Sequence, residues 1–495
     1  MKFNFLFILL IVVLIGGCAV DEIYVEEEIV EEDIIQVVEE EEFSSDSEKL
    51  GFDELRKSSF DYEKLALLGL EEDRDVYIST KEKDYSIRFG INGGLYGDER
   101  REEQISDLKD ELDELDSVWL RHIGRAGWWE MEVEPGVWDW TLTDQIVLND
   151  DNPWVLELFG SSGTVYPFGG FSEEEFDEII STKDTKEVFD YIIDNSLDLN
   201  DPQQLLDAEN YVKTYVTRYK DQIKYWEVSN EGINTPQREE LIRYCYQWVK
   251  EVHPEAQVII TGIAGTTDEQ FNGGVDTLDD MLANGLGDYF DIANFHYYAM
   301  IEDDFELQLE RTYDRHQAVF DKHGVDKPVW VTETSTSSAV DSELSGPSSE
   351  GIQAQHVVKR LVIFSAKGAE KVFWHSYGST SETNKFYQCN MVDPDTRDPK
   401  PAYYTFKLIL DKIGYFDGVE TLETEDFRLY KFVNPDGSVV YVAWSIEEKS
   451  VDLSDYIAGD VTVTHIVENR ENVVPRVEII DSSSVDLDFS PVFIE

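Results

Sequence analysis

The 495-residue sequence predicts an α/β fold: a (β/α)8 TIM barrel with a small C-terminal antiparallel β-sandwich domain. Three observations predict it. Between residues 85 and 415, short β-prone runs alternate with longer amphipathic stretches of helical period. Beyond Pro399-Lys400-Pro401 and one further helical stretch, only short alternating runs remain. Polar residues collect at the ends of the apolar runs in the first part, where a barrel gathers its functional side chains.

The chain opens on Met1-Lys2, an apolar run from Phe3 to Ile15, and Gly16-Gly17-Cys18. The run is short for a membrane span, and small residues precede the cysteine. It resembles the lipobox of prokaryotic lipoproteins, so residues 1–18 read as a signal peptide and Cys18 as the lipid-anchored N-terminus of an exported protein. Residues 19–49 carry Glu26–Glu28 and Glu39–Glu42 and end near Ser44-Ser45-Asp46-Ser47. Like charges at this density repel, so this segment reads as a flexible acidic tether. Residues 50–84 form an N-terminal extension of mixed character.

From Tyr85 onward eight strands are expected: 85–92, 117–124, 153–160, 223–229, 257–262, 290–296, 328–332 and 371–375. Helical stretches at 102–115, 207–219, 238–252, 305–323 and 351–367 fall between them. A doubly wound open sheet is the rival. It is weakened because Phe89-Gly90-Ile91-Asn92-Gly93-Gly94 is not a phosphate-binding GxGxxG turn. The excursion 161–201 after the third strand is long enough to wall one end of a cleft. The barrel is expected over 85–415 and the β-sandwich over 416–495, with Asn434-Pro435-Asp436-Gly437 as a hairpin turn.

Composition narrows the partner. The net charge is -64, which repels nucleic acid and anionic lipid headgroups. It also suits a saline habitat, where carboxylates keep a surface soluble. Aromatic residues make up 13% of the chain, with 11 Trp, the side chains that stack on sugar rings. The three cysteines form no metal-ligand pattern, so no metal or cofactor is expected. A Cys245–Cys389 disulfide is compatible with export. The acidic stretch 393–398 reads as a solvated turn ahead of a calcium loop.

The expected strand ends present a chemically coherent set: Arg121 and His122, Asn230 and Glu231, His296 and Tyr298, Glu333, and Trp374 with His375. A buried strand that ends in a carboxylate must solvate it, pair it or use it. Two carboxyls converging on one mouth suit glycoside cleavage, one protonating the leaving oxygen and the other attacking the anomeric carbon. Arg121 and Tyr298 would support the nucleophile, and Trp374 would offer a flat face to a sugar ring. Glu227 shares its strand face with Ser229 and Glu231 and reads as a deeper, structural partner. Trp128 and Trp129 read equally as a sugar platform or as a lid packed on the barrel.

At these residues the sequence resembles the clan A glycoside hydrolases. Trp226-Glu227-Val228-Ser229-Asn230-Glu231 resembles their fourth-strand acid/base motif, and Val329-Trp330-Val331-Thr332-Glu333 their nucleophile strand. His296-Tyr297-Tyr298 resembles the sixth-strand His-x-Tyr. Glu134-Pro135-Gly136-Val137-Trp138-Asp139-Trp140 with Asp144 resembles the segment after strand two. Arg121 and Trp374 match the strand-two Arg and the strand-eight Trp. The resemblance spans about residues 85–415, and the terminal β domain suits the family 39 xylosidase and iduronidase-like branch. It implies a retaining mechanism on a carbohydrate, with Asn230 holding the 2-hydroxyl. One departure stands out: Leu156-Glu157-Leu158-Phe159-Gly160 lacks the strand-three histidine of the cellulase-like family 5. The rivals are a non-catalytic carbohydrate-binding protein on the same scaffold and a metal-dependent barrel hydrolase, whose first-strand His-x-His is absent.

Overall fold

The computed structural model describes most of residues 83–495. Residues 1–82, 93–110, 122–126, 160–164, 169–190, 192–194, 341–345, 379–387 and some isolated positions lie outside the described residues. The signal peptide with Cys18, the tether, nearly all of the extension 50–84, His122, most of the first expected helix and much of the 161–201 excursion fall there.

Among the described residues, eleven strands precede the C-terminal sheets: β1 (Phe89–Asn92), β2 (Trp119–Arg121), a small hairpin of β3 (Glu132–Glu134) and β4 (Val137–Trp138), β5 (Trp154–Phe159), β6 (Tyr225–Ser229), β7 (Gln257–Ile259), β8 (Ile263–Gly265), β9 (Ala293–Tyr297), β10 (Val329–Thr334) and β11 (Lys371–His375). All but the hairpin form one parallel sheet in the order β7-β6-β5-β2-β1-β11-β10-β9-β8. Nine strands appear where eight were expected because the fifth is split. Residues 260–262 separate its two halves, which pair with opposite neighbours, β6 and β9. Ile259 also bridges Ile292, just ahead of β9, so the curled sheet meets itself at this strand.

Helices cover the sheet. They are α1 (Trp128–Met131), α2 (Thr141–Val147), α3 (Pro202–Tyr219), α4 (Arg238–Val252), α5 (Asp268–Ala283), α6 (Phe305–His323), α7 (Glu350–Lys367) and α8 (Pro401–Ile413). Their ends follow local chemistry. Asp201 caps α3 by accepting from the Gln203 and Gln204 amides, with Pro202 in the first turn. Ser349 caps α7, which ends at Gly368 in a left-handed conformation.

Strand alternation decides what each layer receives. Trp226 of β6 points out and meets Tyr215 of α3 edge-on. Glu227, its neighbour, points in and is fully buried. At the N-terminal end of the sheet Trp119, Tyr225, Trp330 and Phe373 pack together and close the interior. Each such aromatic contributes about 1.5–3 kcal/mol by burial.

One irregularity matters for the site. On β10, Val331 pairs with Phe295 but Glu333 pairs with His296, so Thr332 is an extra residue in the register. The same shift appears against β11. This bulge lets the consecutive Thr332 and Glu333 both reach interior partners, which a regular strand forbids.

The C-terminal region contains β12 (Gly418–Thr421), β13 (Arg428–Val433), β14 (Val439–Trp444), β15 (Lys449–Val451), β16 (Asp460–His465), β17 (Val477–Asp481), β18 (Val485–Leu487) and β19 (Val492–Ile494). Six of them form a sheet in the order β12-β13-β14-β19-β16-β17, whose described pairings are antiparallel, and β15 pairs with β18. The expected sandwich is thus a partial one. One sheet face shares a core with the β15–β18 ribbon through Leu429, Ala443, Val463 and Leu487. The other face joins the main core through Tyr430, Val442, Trp444 and Phe493. Glu306 of α6 fastens that junction: Trp444 Nε1 donates to it at 2.6 Å and Arg428 Nε at 3.0 Å, and Lys359 Nζ lies 3.4 Å away.

Cys245 packs within the main core and Cys389 beside Tyr298, both as free thiols, so the disulfide considered above is not formed.

Candidate active site

Arg121 is the hub. It ends β2 and is fully buried, and its guanidinium reaches four residues from three other strands and their ends. Nε and Nη2 donate to the two oxygens of Glu227 at 2.6 and 2.8 Å. Nη1 donates to Glu333 Oε1 at 2.8 Å, and Nη2 to Asn230 Oδ1 at 2.9 Å. Nη2 also lies 3.1 Å from Glu157 Oε1 on β5. A planar fork with five donors is suited to such shared contacts, where a lysine would serve one direction.

Glu333 therefore has Arg121 on one oxygen, and the Tyr298 hydroxyl donates to the other. Glu231 is held differently. Its Oε1 lies 2.7 Å from His296 Nδ1, and its buried Oε2 has no hydrogen-bond partner among the described residues. An atom from each of Glu231, His296 and Glu333 lies within 4.8 Å of the other two. The two carboxyls thus approach to within that distance at their nearest oxygens. Gly262, in the gap of the split strand, makes room for this arrangement. A Cβ there would sit 2.8 Å from His296 Nε2 and 2.9 Å from the Asn230 carbonyl.

Their environments push the two carboxyls apart. Burial raises the Glu231 pKa well above the usual range, and the nearby charges of Glu333, Glu157 and Glu227 add to this against the pull of Arg121. Burial also opposes ionisation of Glu333, yet its pKa is lowered. The charges of His296 and His375 are the largest lowering influences, ahead of Arg121 and the Tyr298 hydroxyl. Burial drives His296 itself down to about 3, so at neutral pH its share is absent, and Arg121 and the Tyr298 hydroxyl are the groups in direct contact with the two Glu333 oxygens. Burial pushes Glu227 up to about 8 while Arg121 draws it down. Burial likewise opposes the charge of Arg121, but Glu227, Glu157 and Glu333 hold it firmly protonated.

Six of the seven residues singled out as site residues converge here: Arg121, Asn230, Glu231, His296, Tyr298 and Glu333. Asn230 keeps its amide nitrogen free of protein partners among the described residues, while its oxygen faces Arg121. Trp374 departs from expectation. It lies beside Thr334 in the sheet but is fully buried, and its Nε1 donates to the Cys389 carbonyl at 3.1 Å. It shows no open face for a sugar ring. His375 lies at the site's edge, with Nδ1 4.0 Å from Glu333 Oε2. Trp128 is packed, stacked on Tyr211, and its Nε1 donates to Glu132 at 2.7 Å. Glu227 is the structural partner its strand face implied.

Glu157, Asn294 and Thr332 join the site without having been expected there. Glu157 had a visible signal, a lone carboxylate inside the apolar run Trp154–Phe159. Asn294 and Thr332 had none, because short polar residues in strands are ordinary.

Glu231, His296 and Glu333 could each turn one atom toward a cation. Both oxygens of Glu333 are already engaged by hydrogen-bond donors, and the Arg121 charge lies against one of them. That positive charge works against a second cation on the same carboxylate. The donor set suits a proton and an anion better than a metal.

No family model matches the sequence, and no curated protein sequence matches it. Solved structures do. A family 39 glycoside hydrolase from the gut symbiont Bacteroides cellulosilyticus WH2 is similar at a TM-score of 0.57 and 15% identity, covering 83% of this chain and 82% of that one. A glucosidase from Croceicoccus marinus is similar at 0.53 and 12% identity, covering 85% and 97%. A conserved exported protein from Bacteroides fragilis is similar at 0.51 and 11% identity, covering 85% and 99%. The likeness is one of fold. Two of these three proteins are named as glycoside hydrolases, one of them of family 39.

Proposed function

We propose that this chain is a retaining glycoside hydrolase that cleaves β-O-glycosidic bonds of oligo- or polysaccharides by double displacement. The observation that carries the reading is the Glu231–Glu333 pair: two buried carboxyls whose nearest oxygens lie within 4.8 Å, one with a raised pKa and the other lowered. Retaining enzymes hold their carboxyls about 5–5.5 Å apart, whereas inverting enzymes leave roughly 6.5–9.5 Å for a water.

Ionised Glu333 attacks the anomeric carbon while Glu231 gives its proton to the leaving oxygen. The glycosidic bond breaks as the Glu333 ester forms. Glu231, now a carboxylate, takes a proton from water, whose oxygen displaces Glu333 and restores both groups. Asn230 is placed beside Glu231 to donate its free amide N–H to a sugar hydroxyl.

The test uses two variants. Glu333→Ala should lose turnover, and azide should restore it as a glycosyl azide of inverted anomeric configuration. Glu231→Ala should still release good leaving groups from aryl β-glycosides. Wild-type turnover by both variants would refute the assignment.

The apolar N-terminal run and Cys18 further support an exported, lipid-anchored protein. Fatty-acid labelling lost in Cys18→Ser would support it, and an unlabelled wild type would sink it.

A further inference from the structure

A line of hydrogen bonds runs from Glu231 through His296 to Thr332 and Asn294. Asn294 on β9 has its amide orientation set by Glu227, to whose Oε1 its Nδ2 donates at 2.9 Å, and by two backbone groups. Its Oδ1 accepts from the Thr332 N–H at 3.4 Å, and its Nδ2 donates to the Ile260 carbonyl at 3.4 Å. The Thr332 hydroxyl donates to Asn294 Oδ1 at 2.7 Å. A hydroxyl has one proton, so Thr332 Oγ1 meets His296 Nε2, 2.9 Å away, as an acceptor. His296 must then carry its hydrogen on Nε2. A neutral imidazole has only one, so Nδ1 is bare. Nδ1 lies 2.7 Å from Glu231 Oε1, a distance that calls for a hydrogen between them. That hydrogen belongs to Glu231.

We propose that Asn294 and Thr332 are positioning residues that fix the Nε2–H tautomer of His296, whose bare Nδ1 then holds Glu231 as a protonated carboxyl. The proposal rests on the reading of Glu231 as acid/base. It bears on both half-reactions. Before cleavage, the imidazole orients the proton donor. After proton transfer, the bare Nδ1 faces a carboxylate oxygen, and that repulsion makes Glu231 a stronger base toward water. The neutral state of His296 agrees with its fully buried position. The charged and titratable groups around this pair are Arg121, Glu157, Glu227, Glu333, Tyr298 and His375. Glu333, Glu157 and Glu227 favour keeping the proton on Glu231, Arg121 opposes it, and Tyr298 stays a neutral phenol.

Thr332→Val keeps the shape and removes the acceptor, while Thr332→Ser keeps the acceptor. In 15N-histidine-labelled protein, long-range 1H–15N spectra identify the His296 ring by its loss in His296→Gln. The wild type at pH 7 should show hydrogen on Nε2. Thr332→Val should move population to Nδ1–H, and the alkaline limb of kcat/KM should fall by about one pH unit. Thr332→Ser should restore both. A wild-type ring with hydrogen on Nδ1 would overturn the proposal, as would a Thr332→Val variant with unchanged spectrum and alkaline limb. The tautomer is read without turnover. A chain inactive on every glycoside therefore fails the functional reading alone, and the spectrum still decides this one.

Discussion

Tyr298→Phe isolates the hydrogen bond that distinguishes Glu333 from Glu231. The tyrosine is buried, and its hydroxyl donates to Glu333 Oε2. The substitution removes that oxygen and little else. Arg121 remains on Oε1, but nothing replaces the lost donor: His296 Nδ1 is 3.7 Å and His375 Nδ1 4.0 Å from Oε2. A hydrogen bond to a charged group is worth about 1.5–3 kcal/mol. At about 1.4 kcal/mol per unit, that raises the Glu333 pKa by about one to two units. The sign follows from its proposed role as the nucleophile. That role requires Glu333 ionised and its pKa is depressed, so activity is lost as pH falls through that pKa. Raising the pKa moves the acid limb of kcat/KM up by the same interval and leaves the alkaline limb, set by Glu231, in place. The stability conferred by the depressed pKa is present above the unfolded carboxylate value and disappears in acid. The variant should therefore melt lower than wild type at pH 7, with the gap closing in acid. Initial rates on an aryl glycoside across pH, with melting at each pH, measure both. An acid limb unmoved in a folded variant would refute the account of how Glu333 stays ionised.

Two further outcomes follow from the charge arrangement. Glu157→Gln removes one negative charge that raises the Glu231 pKa, so the alkaline limb should shift to lower pH while the acid limb changes less; a pH–rate profile checks this. Glu306→Ala leaves the buried Lys359 without its carboxylate and strips acceptors from Trp444 and Arg428, so chemical denaturation should show a loss of about 3–5 kcal/mol with catalysis at 25 °C retained.

Much of the architecture is legible along the chain because its causes are local. The Val331 and Trp226 runs and the Asn434–Gly437 turn each depend on neighbours within a few residues. The eight expected strands all have counterparts in the parallel sheet, and Lys371–His375 matches at both ends. The two glutamates stood out for a similar reason, since a carboxylate closing an apolar run violates the local pattern. Glu157 violated it too, and its importance could not be weighed without knowing that β5 lies between β2 and β6.

The sequence by itself determined the strands and set Glu231 and Glu333 apart as candidates, because hydrophobic period and local polar exceptions are written residue by residue. The tertiary structure decided the rest. Arg121 meets Glu333 across 212 positions and Glu227 across 106, contacts that no local pattern encodes. The bulge at Thr332 turned two consecutive side chains inward, where alternation would have sent them apart. Trp374, expected as an open face, was enclosed by its neighbours. Burial and pKa are sums over everything that surrounds a group, so the division of labour between two chemically identical carboxyls emerges only when the chain closes around them.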